Sequence, residues 1–306
     1  MKNIFITGGS GFLGKFLVKE LSKKNKVYAP TSRQVNLLNY KELNKIKKKY
    51  DYIFHLAAWT QAGDFCLRFP GDQWLINQKI NTNILNWWKI KNPKAKMIFI
   101  GTSCSYPENL KLTEENYMKD EPNEGLYTYA MTKRMLLQGA RALEKQYKMK
   151  WLCLVPSTLY GPYYHKDGRQ MHFIFDLIKK ILLGHYKNKK VTLWGNGYQK
   201  REIIHVKDFV SFTLKIYKKI NNEIINIGAG KEYSIREFAV KISKIISFKF
   251  AKIIFDKKKY TGAKSKKLEI KKIKKIIPSY TKDQIKIEKG LSETINWFKN
   301  QLDLID

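Results

Sequence analysis

Two short stretches of the sequence hold side chains that can move protons. LYTYAMTKRML sets Tyr129 and Lys133 four residues apart, so that on a helix both stand on one face. An ammonium beside a phenol favours the phenolate and is expected to lower its pKa from about 10. That would poise Tyr129 to exchange a proton with a carbinol or a ketone. Tyr127 lies close by, but the residue four places after it is Met131. The second stretch, GTSCSYP at 101–107, follows an apolar run and offers the hydroxyl of Thr102 and the thiol of Cys104. Free cysteine is among the most buried residue types, so Cys104 taken alone also reads as filler at a strand end.

A third stretch, TGGSGFLG, spaces Gly8, Gly11 and Gly14 three apart between an apolar run and an amphipathic one. Glycines there permit a tight turn, let backbone N–H groups approach a pyrophosphate, and bring a helix close to a strand. The pattern implies a dinucleotide site. Sites for NAD usually carry an acidic residue at the end of the second strand, where it binds the ribose 2′-hydroxyl. That strand ends here in APTSRQVN, with Ser32 and Arg33 and no carboxylate. A hydroxyl and a guanidinium suit a 2′-phosphate, which favours NADP (NADPH), with NAD as the alternative.

The elements that must position these residues follow from periodicity. KNIFITG, KVYAPTS, DYIFHLA, AKMIFIGT and WLCLVPST read as strands. FLGKFLVKELSKK, NTNILNWWKIK and YAMTKRMLLQGARALEKQY carry the apolar spacing of helices. Strands alternating with helices indicate βαβ units and a parallel sheet covered on both faces. The expected fold class is α/β, a Rossmann-type doubly wound parallel sheet. From about residue 162 the pattern loosens, with an insertion around YYHKDGRQMHF, a strand at KVTLWG and a strand-like run at EIINIGA. We expect residues 1–162 to form the dinucleotide-binding domain, with returning segments near 203–230. Residues 163–306 are then mainly a smaller, interleaved substrate domain.

Composition sets outer bounds. The chain has 306 residues, is 43% apolar, and contains no apolar run of the roughly 18–20 residues needed to cross a bilayer. The start reads as strand and turn rather than as a secretion signal. Three widely spaced cysteines without a CxxC pair argue against a disulfide framework or a metal site, and make a reducing cytoplasm the default location. The net charge is +33, yet only seven of the 59 basic residues are arginine. Specific nucleic-acid readers lean on arginine for bidentate contacts. The lysines therefore read as solvated faces, with no nucleic-acid or membrane partner, in whose field a small anionic substrate would still benefit.

Taken in order, TGGSGFLG, HLAA, GTSCSYP, YAMTK, LYGP and WGNGYQKREIIHVKDF resemble the extended short-chain dehydrogenase/reductases of the NAD-dependent epimerase/dehydratase family. Within it they are most similar to the GDP-L-fucose synthase branch, the epimerase–reductases of GDP-4-keto-6-deoxymannose. The resemblance runs over nearly the whole chain, to FDKKKYTGAKSKKLEIKKIKKI and a final GLSETINWF helix. It implies a catalytic set of Thr102, Tyr129 and Lys133, with Tyr106 as a family marker. It also implies that Cys104 and His172, in RQMHFIF, form a proton-transfer pair, with His165 as the competing histidine. Members acting as 4,6-dehydratases carry Asp–Glu after the hydroxyl residue, where this chain has Ser103–Cys104.

The implied chemistry is coherent. A 4-keto group acidifies the protons at C3 and C5; a thiolate can take one and an imidazole return one to the opposite face. Hydride from NADPH at C4, with a proton from Tyr129, completes a reduction. The resemblance places the cofactor against Gly8, Gly11, Phe12, Leu13, Gly14, Ser32, Arg33, Leu56, Ala57, Ala58, Lys133 and Pro156. On the substrate side it points to Arg201 for the diphosphate, Lys264 at the C-terminal basic position, Trp194, and Thr158 where the family usually has asparagine. The loop WTQAGDFCLRFPGDQWLIN also departs from the family's asparagine-rich segment, and its Trp59, Gln61 and Trp74 point to a different sugar.

The expected function is NADP-dependent C3/C5 epimerisation followed by C4 reduction of a GDP-4-keto-6-deoxy sugar, in a likewise implied homodimer. The alternatives are a single-step 4-reductase or epimerase on another nucleotide sugar, and a cofactor-sensing binding protein, against which the intact Tyr129 and Lys133 speak.

Overall fold

The structure is a computed structural model and describes residues 1–122, 124–165, 167–258 and 264–301. The first part of the chain alternates β1 (Asn3–Thr7), α1 (Phe12–Ser22), β2 (Lys26–Tyr28), α2 (Tyr40–Asn44) and β3 (Tyr52–His55). It continues through α3 (Phe65–Arg68), α4 (Pro70–Lys91), β4 (Lys96–Ile100), α5 (Tyr127–Tyr147) and β5 (Trp151–Pro156). Next come β6 (Thr158–Tyr160), α6 (Phe173–Tyr186), β7 (Val191–Trp194), β8 (Lys200–His205), α7 (Val206–Ile216) and β9 (Glu223–Ile227). The chain ends with β10 (Glu232–Ser234), α8 (Ile235–Ile246), β11 (Ile253–Asp256), α9 (Lys271–Ile276) and α10 (Ile287–Lys299).

Six strands form one parallel sheet in the order β2-β1-β3-β4-β5-β9. Their near-continuous apolar runs, such as Ile4, Phe5 and Ile6 with no exposed surface, are what a sheet buried on both faces requires. One face packs Phe5, Ile53 and Phe99 against Trp87 and Trp88 of α4 and Leu136 and Leu137 of α5. The other packs Ile4, Ile6 and Phe54 with Leu17 of α1 and Phe209 and Phe212 of α7. After β2 the chain crosses back to place β3 on the opposite side of β1. In doubly wound sheets, ligands bind outside the carboxyl ends of the strands at such a reversal.

Helix α4 begins at Pro70, well before the NTNILNWWKIK run that periodicity marks. Gln73, Asn77 and Asn81 lie four apart along it and are all buried. This polar stripe interrupts the apolar period, which is why the first half of the helix does not announce itself. A second core joins Ile174, Phe175, Ile178 and Leu182 of α6 to Phe238 and Ile242 of α8 and to Leu291 and Ile295 of α10. Around it stand the three-stranded sheet β10-β8-β6 and the pair β11-β7. A reciprocal cap starts α8: Glu237 N donates to Ser234 Oγ while Ser234 N donates to the Glu237 carboxylate.

Candidate active site

At the carboxyl end of β1 the glycine turn is fixed by close contacts. Gly8 has φ +70°, and a Cβ there would stand 2.8 Å from Ala57 N; one on Gly14 would stand 2.2 Å from Gly8 O. Only glycine fits either place. Gly11 precedes α1, with no side-chain cap and no acidic residue in the first turn. The opening N–H groups of the helix, around Phe12 and Leu13, therefore suit a phosphate. Leu56 N and Ala57 N donate to Thr7 Oγ1 at 3.2 and 3.3 Å, pinning the Leu56–Ala58 segment beside the turn. Pro156 ends β5 on the same side of the sheet. Ser32 and Arg33 lie exposed in the loop after β2. These features fit a dinucleotide.

The groups whose chemistry suits proton transfer gather at the ends of β4 and α5. Thr102 caps a single 3-10 turn, Ser103–Ser105, by accepting from Cys104 N at 3.2 Å. Its own hydroxyl hydrogen stays available for a substrate oxygen. Lys133 is 6% exposed, with Nζ 5.8 Å from the centre of the Tyr129 ring. Burial lowers Lys133 to about 8. Tyr129 goes the other way: burial first, then the nearby Cys104 and Cys66, push its phenol above the ordinary range. The expectation of a lowered phenol is thereby corrected. Loss of hydration outweighs an ammonium that lies over the ring rather than at the hydroxyl.

All three cysteines are free thiols; Cys66 and Cys153 are buried and Cys104 is half-buried. Burial pushes Cys66 up, and Cys153 to about 12. No group of three or more metal-ligating side chains occurs among the described residues, and no helix among them is long and apolar enough to cross a membrane.

Beneath the site runs a chain of buried hydrogen bonds that sequence reasoning missed. His55 joins Thr7 Oγ1 through Nδ1 at 2.8 Å and Asn81 Oδ1 through Nε2 at 3.2 Å, and Asn81 Nδ2 donates to Thr132 O. Asn81 accepts through its oxygen, so His55 donates from Nε2 and accepts from Thr7 at Nδ1. Burial, then the Lys133 charge, lowers His55 to about 4, and the ring is neutral. Arg134 is buried and donates to the carbonyls of Ser105, Lys119 and Asp120 at 2.6–3.1 Å. It thereby ties the Cys104 turn to the helix carrying Tyr129. Gln73, Asn77 and Asn81, four apart and so on one face of α4, were the available signal for this network.

On the other wall, His172 precedes α6, with its backbone N directed at Tyr164 Oη, 3.4 Å away. Part of its side chain is open to solvent. Although the residue is exposed, atoms packed about the ring, then His165 and Lys266, lower its proton affinity. Lys266 Nζ stands 3.1 Å from Cys104 Sγ. Lys264, the expected basic residue, is exposed, and its carbonyl accepts from Lys200 N. Arg201 lies on β8, paired with Tyr233, and Thr158 begins β6. Trp194 ends β7, is 57% exposed, and has Lys180 over its ring. In the loop after β3, Trp59 packs against Phe65 at 4.7 Å, and Asp64 accepts from Gln170 Nε2 at 2.7 Å. Cys104, Tyr129 and Lys133 are thus brought together, and Lys266 contacts Cys104 while its charge bears on His172.

Comparison with known proteins bears on the family and the fold. Residues 4–228 match the profile of the NAD dependent epimerase/dehydratase family. A GDP-L-colitose synthase of Yersinia pseudotuberculosis is 28% identical, over 97% of this chain and 98% of that protein. A GDP-L-fucose synthase of Dictyostelium discoideum is 30% identical, over 97% of this chain and 95% of that protein. Among solved structures, a GDP-L-fucose synthetase from Naegleria fowleri bound to NADP superposes with a TM-score of 0.85 at 23% identity. It covers 99% of this chain and 95% of its own.

Proposed function

The chain belongs to the NAD-dependent epimerase/dehydratase family, NAD(P)-dependent enzymes of nucleotide sugars, and from that premise we propose that it epimerises a GDP-4-keto-6-deoxy sugar at C3 and C5 and then reduces it at C4 with NADPH. The observation that carries the reading is the single turn after β4. It carries Thr102 and Cys104 two residues apart, with Cys104 near the Tyr129 phenol and Lys133 over its ring, which supports a hydroxyl for reduction beside a thiol for epimerisation. The names of the colitose and fucose synthases support a GDP sugar, and Ser32 and Arg33, without an acidic neighbour, support NADP.

The glycine turn and the start of α1 would hold the pyrophosphate, and the bound dihydronicotinamide supplies the hydride. The residues do the rest. Tyr129, kept protonated at pH 7 by burial, is in the form that donates to a C4 oxygen gaining hydride. Thr102 donates a hydrogen bond to the same oxygen. Lys133 supplies positive charge beneath the ring. Cys104 takes the proton from a carbon next to the ketone, and His172, on the facing wall, exchanges one from the other side. Arg201 and Thr158 face the diphosphate and sugar. Residues 1–162 with the β8–β9 return bind the cofactor, most of 163–306 binds the sugar nucleotide, and two copies associate.

The test is a panel of GDP-, CDP-, UDP- and dTDP-linked 4-keto-6-deoxy sugars, followed by NADPH oxidation and by deuterium uptake from solvent. A GDP sugar should react fastest and take up deuterium at C3 and C5, and Cys104→Ser should abolish the uptake. NADPH consumption without uptake in the wild type would leave a single-step reductase.

A further inference from the structure

We propose that Lys266 is the positioning residue for the Cys104 sulfur, supplying the counter-charge to its anionic form. This deepens the functional reading above and rests on it, since it takes Cys104 as the proton acceptor. The contact is direct: Lys266 Nζ lies 3.1 Å from Cys104 Sγ, across 162 residues of chain. An ammonium at hydrogen-bond distance from sulfur stabilises the thiolate by charge and by donation. In the epimerisation step the C–H bond next to the ketone breaks, an S–H bond forms, and the electron pair passes to the ketone oxygen as an enolate. The more the sulfur is held as an anion beforehand, the less that step must supply.

The segment bearing Lys266 is fixed on both sides. Upstream, Lys264 O accepts from Lys200 N at 2.8 Å and Ser265 Oγ donates to Glu232 at 2.7 Å. Downstream, Leu268 N donates to Glu202 at 2.9 Å, and Glu269 N donates to Leu112 O at 3.0 Å. Glu202 is itself buried and also accepts from Gly230 N. Four anchors, to β8, to β10 and to the loop before α5, therefore set the Lys266 backbone. By contrast, Lys264 is exposed. Lys266 also bears on His172, whose proton affinity its charge lowers. One ammonium thus bears on both members of the pair, at hydrogen-bond distance from the sulfur and as a like charge that lowers the proton affinity of the imidazole.

The test uses the intact protein and starts without substrate. Iodoacetamide alkylation of Cys104, followed by mass spectrometry of its peptide, should slow about tenfold at pH 7 in Lys266→Met. It should stay within about threefold of wild type in Lys266→Arg, which keeps the charge. Deuterium uptake at C3 and C5 should fall in kcat for Lys266→Met, with KM changing less. If alkylation of Lys266→Met proceeds at the wild-type rate, or if only KM rises, Lys266 is a substrate contact and the proposal is wrong. If Cys104→Ser keeps its deuterium uptake, the underlying reading of Cys104 fails instead, so the two failures are distinguishable.

Discussion

Tyr129 and Lys133 show how far two residue types and a spacing carry a mechanism. Their shared helical face was readable from the sequence, and so was the chemistry of a phenol next to an ammonium. The direction in which the phenol shifts was not, because it depends on how much protein surrounds the hydroxyl, and spacing does not report burial. The outcome suits reduction, which needs a donor. It moves the sensitive titration to Lys133, which loses its charge as pH rises through about 8. The kcat of NADPH oxidation should accordingly decline above pH 8, while Lys133→Met should lower it by about a hundredfold or more across the whole range. A profile flat to pH 10 would assign the charge beneath Tyr129 to another group. Lys266 was illegible for a plainer reason: it is one of seven lysines from Lys257 to Lys271, and only the folded chain distinguishes it from the exposed Lys264 and Lys267 beside it.

Elements rather than single groups decide whether that chemistry lines up. The strands and α5 were legible because their apolar periods are strong, and the glycine turn because its spacing has a steric cause. The first half of α4 was not, since its buried Gln73, Asn77 and Asn81 look like a solvent face until their partners are known. Arg134 belongs to this scale. It is a buried cation whose four hydrogen bonds all end on main-chain oxygens of the loop after β4, so it braces one element against another. Arg134→Met leaves three carbonyls without that donor and should cost about 3 kcal/mol. In urea this appears as a lower midpoint at unchanged slope, and a shift below about 0.5 kcal/mol would mean that the loop finds other donors.

For the molecule as a whole, buried titratable groups set the response to acid, and they oppose one another. Burial lowers His55 and His205 to about 4. At these two groups the unfolded chain binds more protons than the folded one between pH 6.5 and 4, and their contribution to stability is lost as pH falls through that window. Burial raises Glu202 to about 7 and Asp208 to about 6. Their contribution is fully present below the ordinary carboxyl values and is lost as pH rises from there through about 6 for Asp208 and about 7 for Glu202, so over the same window it grows on acidification. Each is worth on the order of 3 kcal/mol at full shift, and together they flatten the profile of the wild type. Glu202→Gln removes one opposing carboxyl, and its Tm should fall more steeply than that of wild type between pH 6.5 and 4.5; parallel curves would show that Glu202 does not titrate there.

The sheet order carries a consequence for synthesis. Strand β5 is closed by β9, which lies roughly 70 residues further along the chain. At about 5–20 residues per second, a growing polypeptide holds an unclosed apolar edge for several seconds while the intervening helices emerge. Unpaired strand edges are templates for the wrong partner. The interval between translation of β5 and of β9 is therefore when the nascent chain most needs a chaperone, and slow codons placed within it would lower the yield of folded protein more than the same codons placed after it.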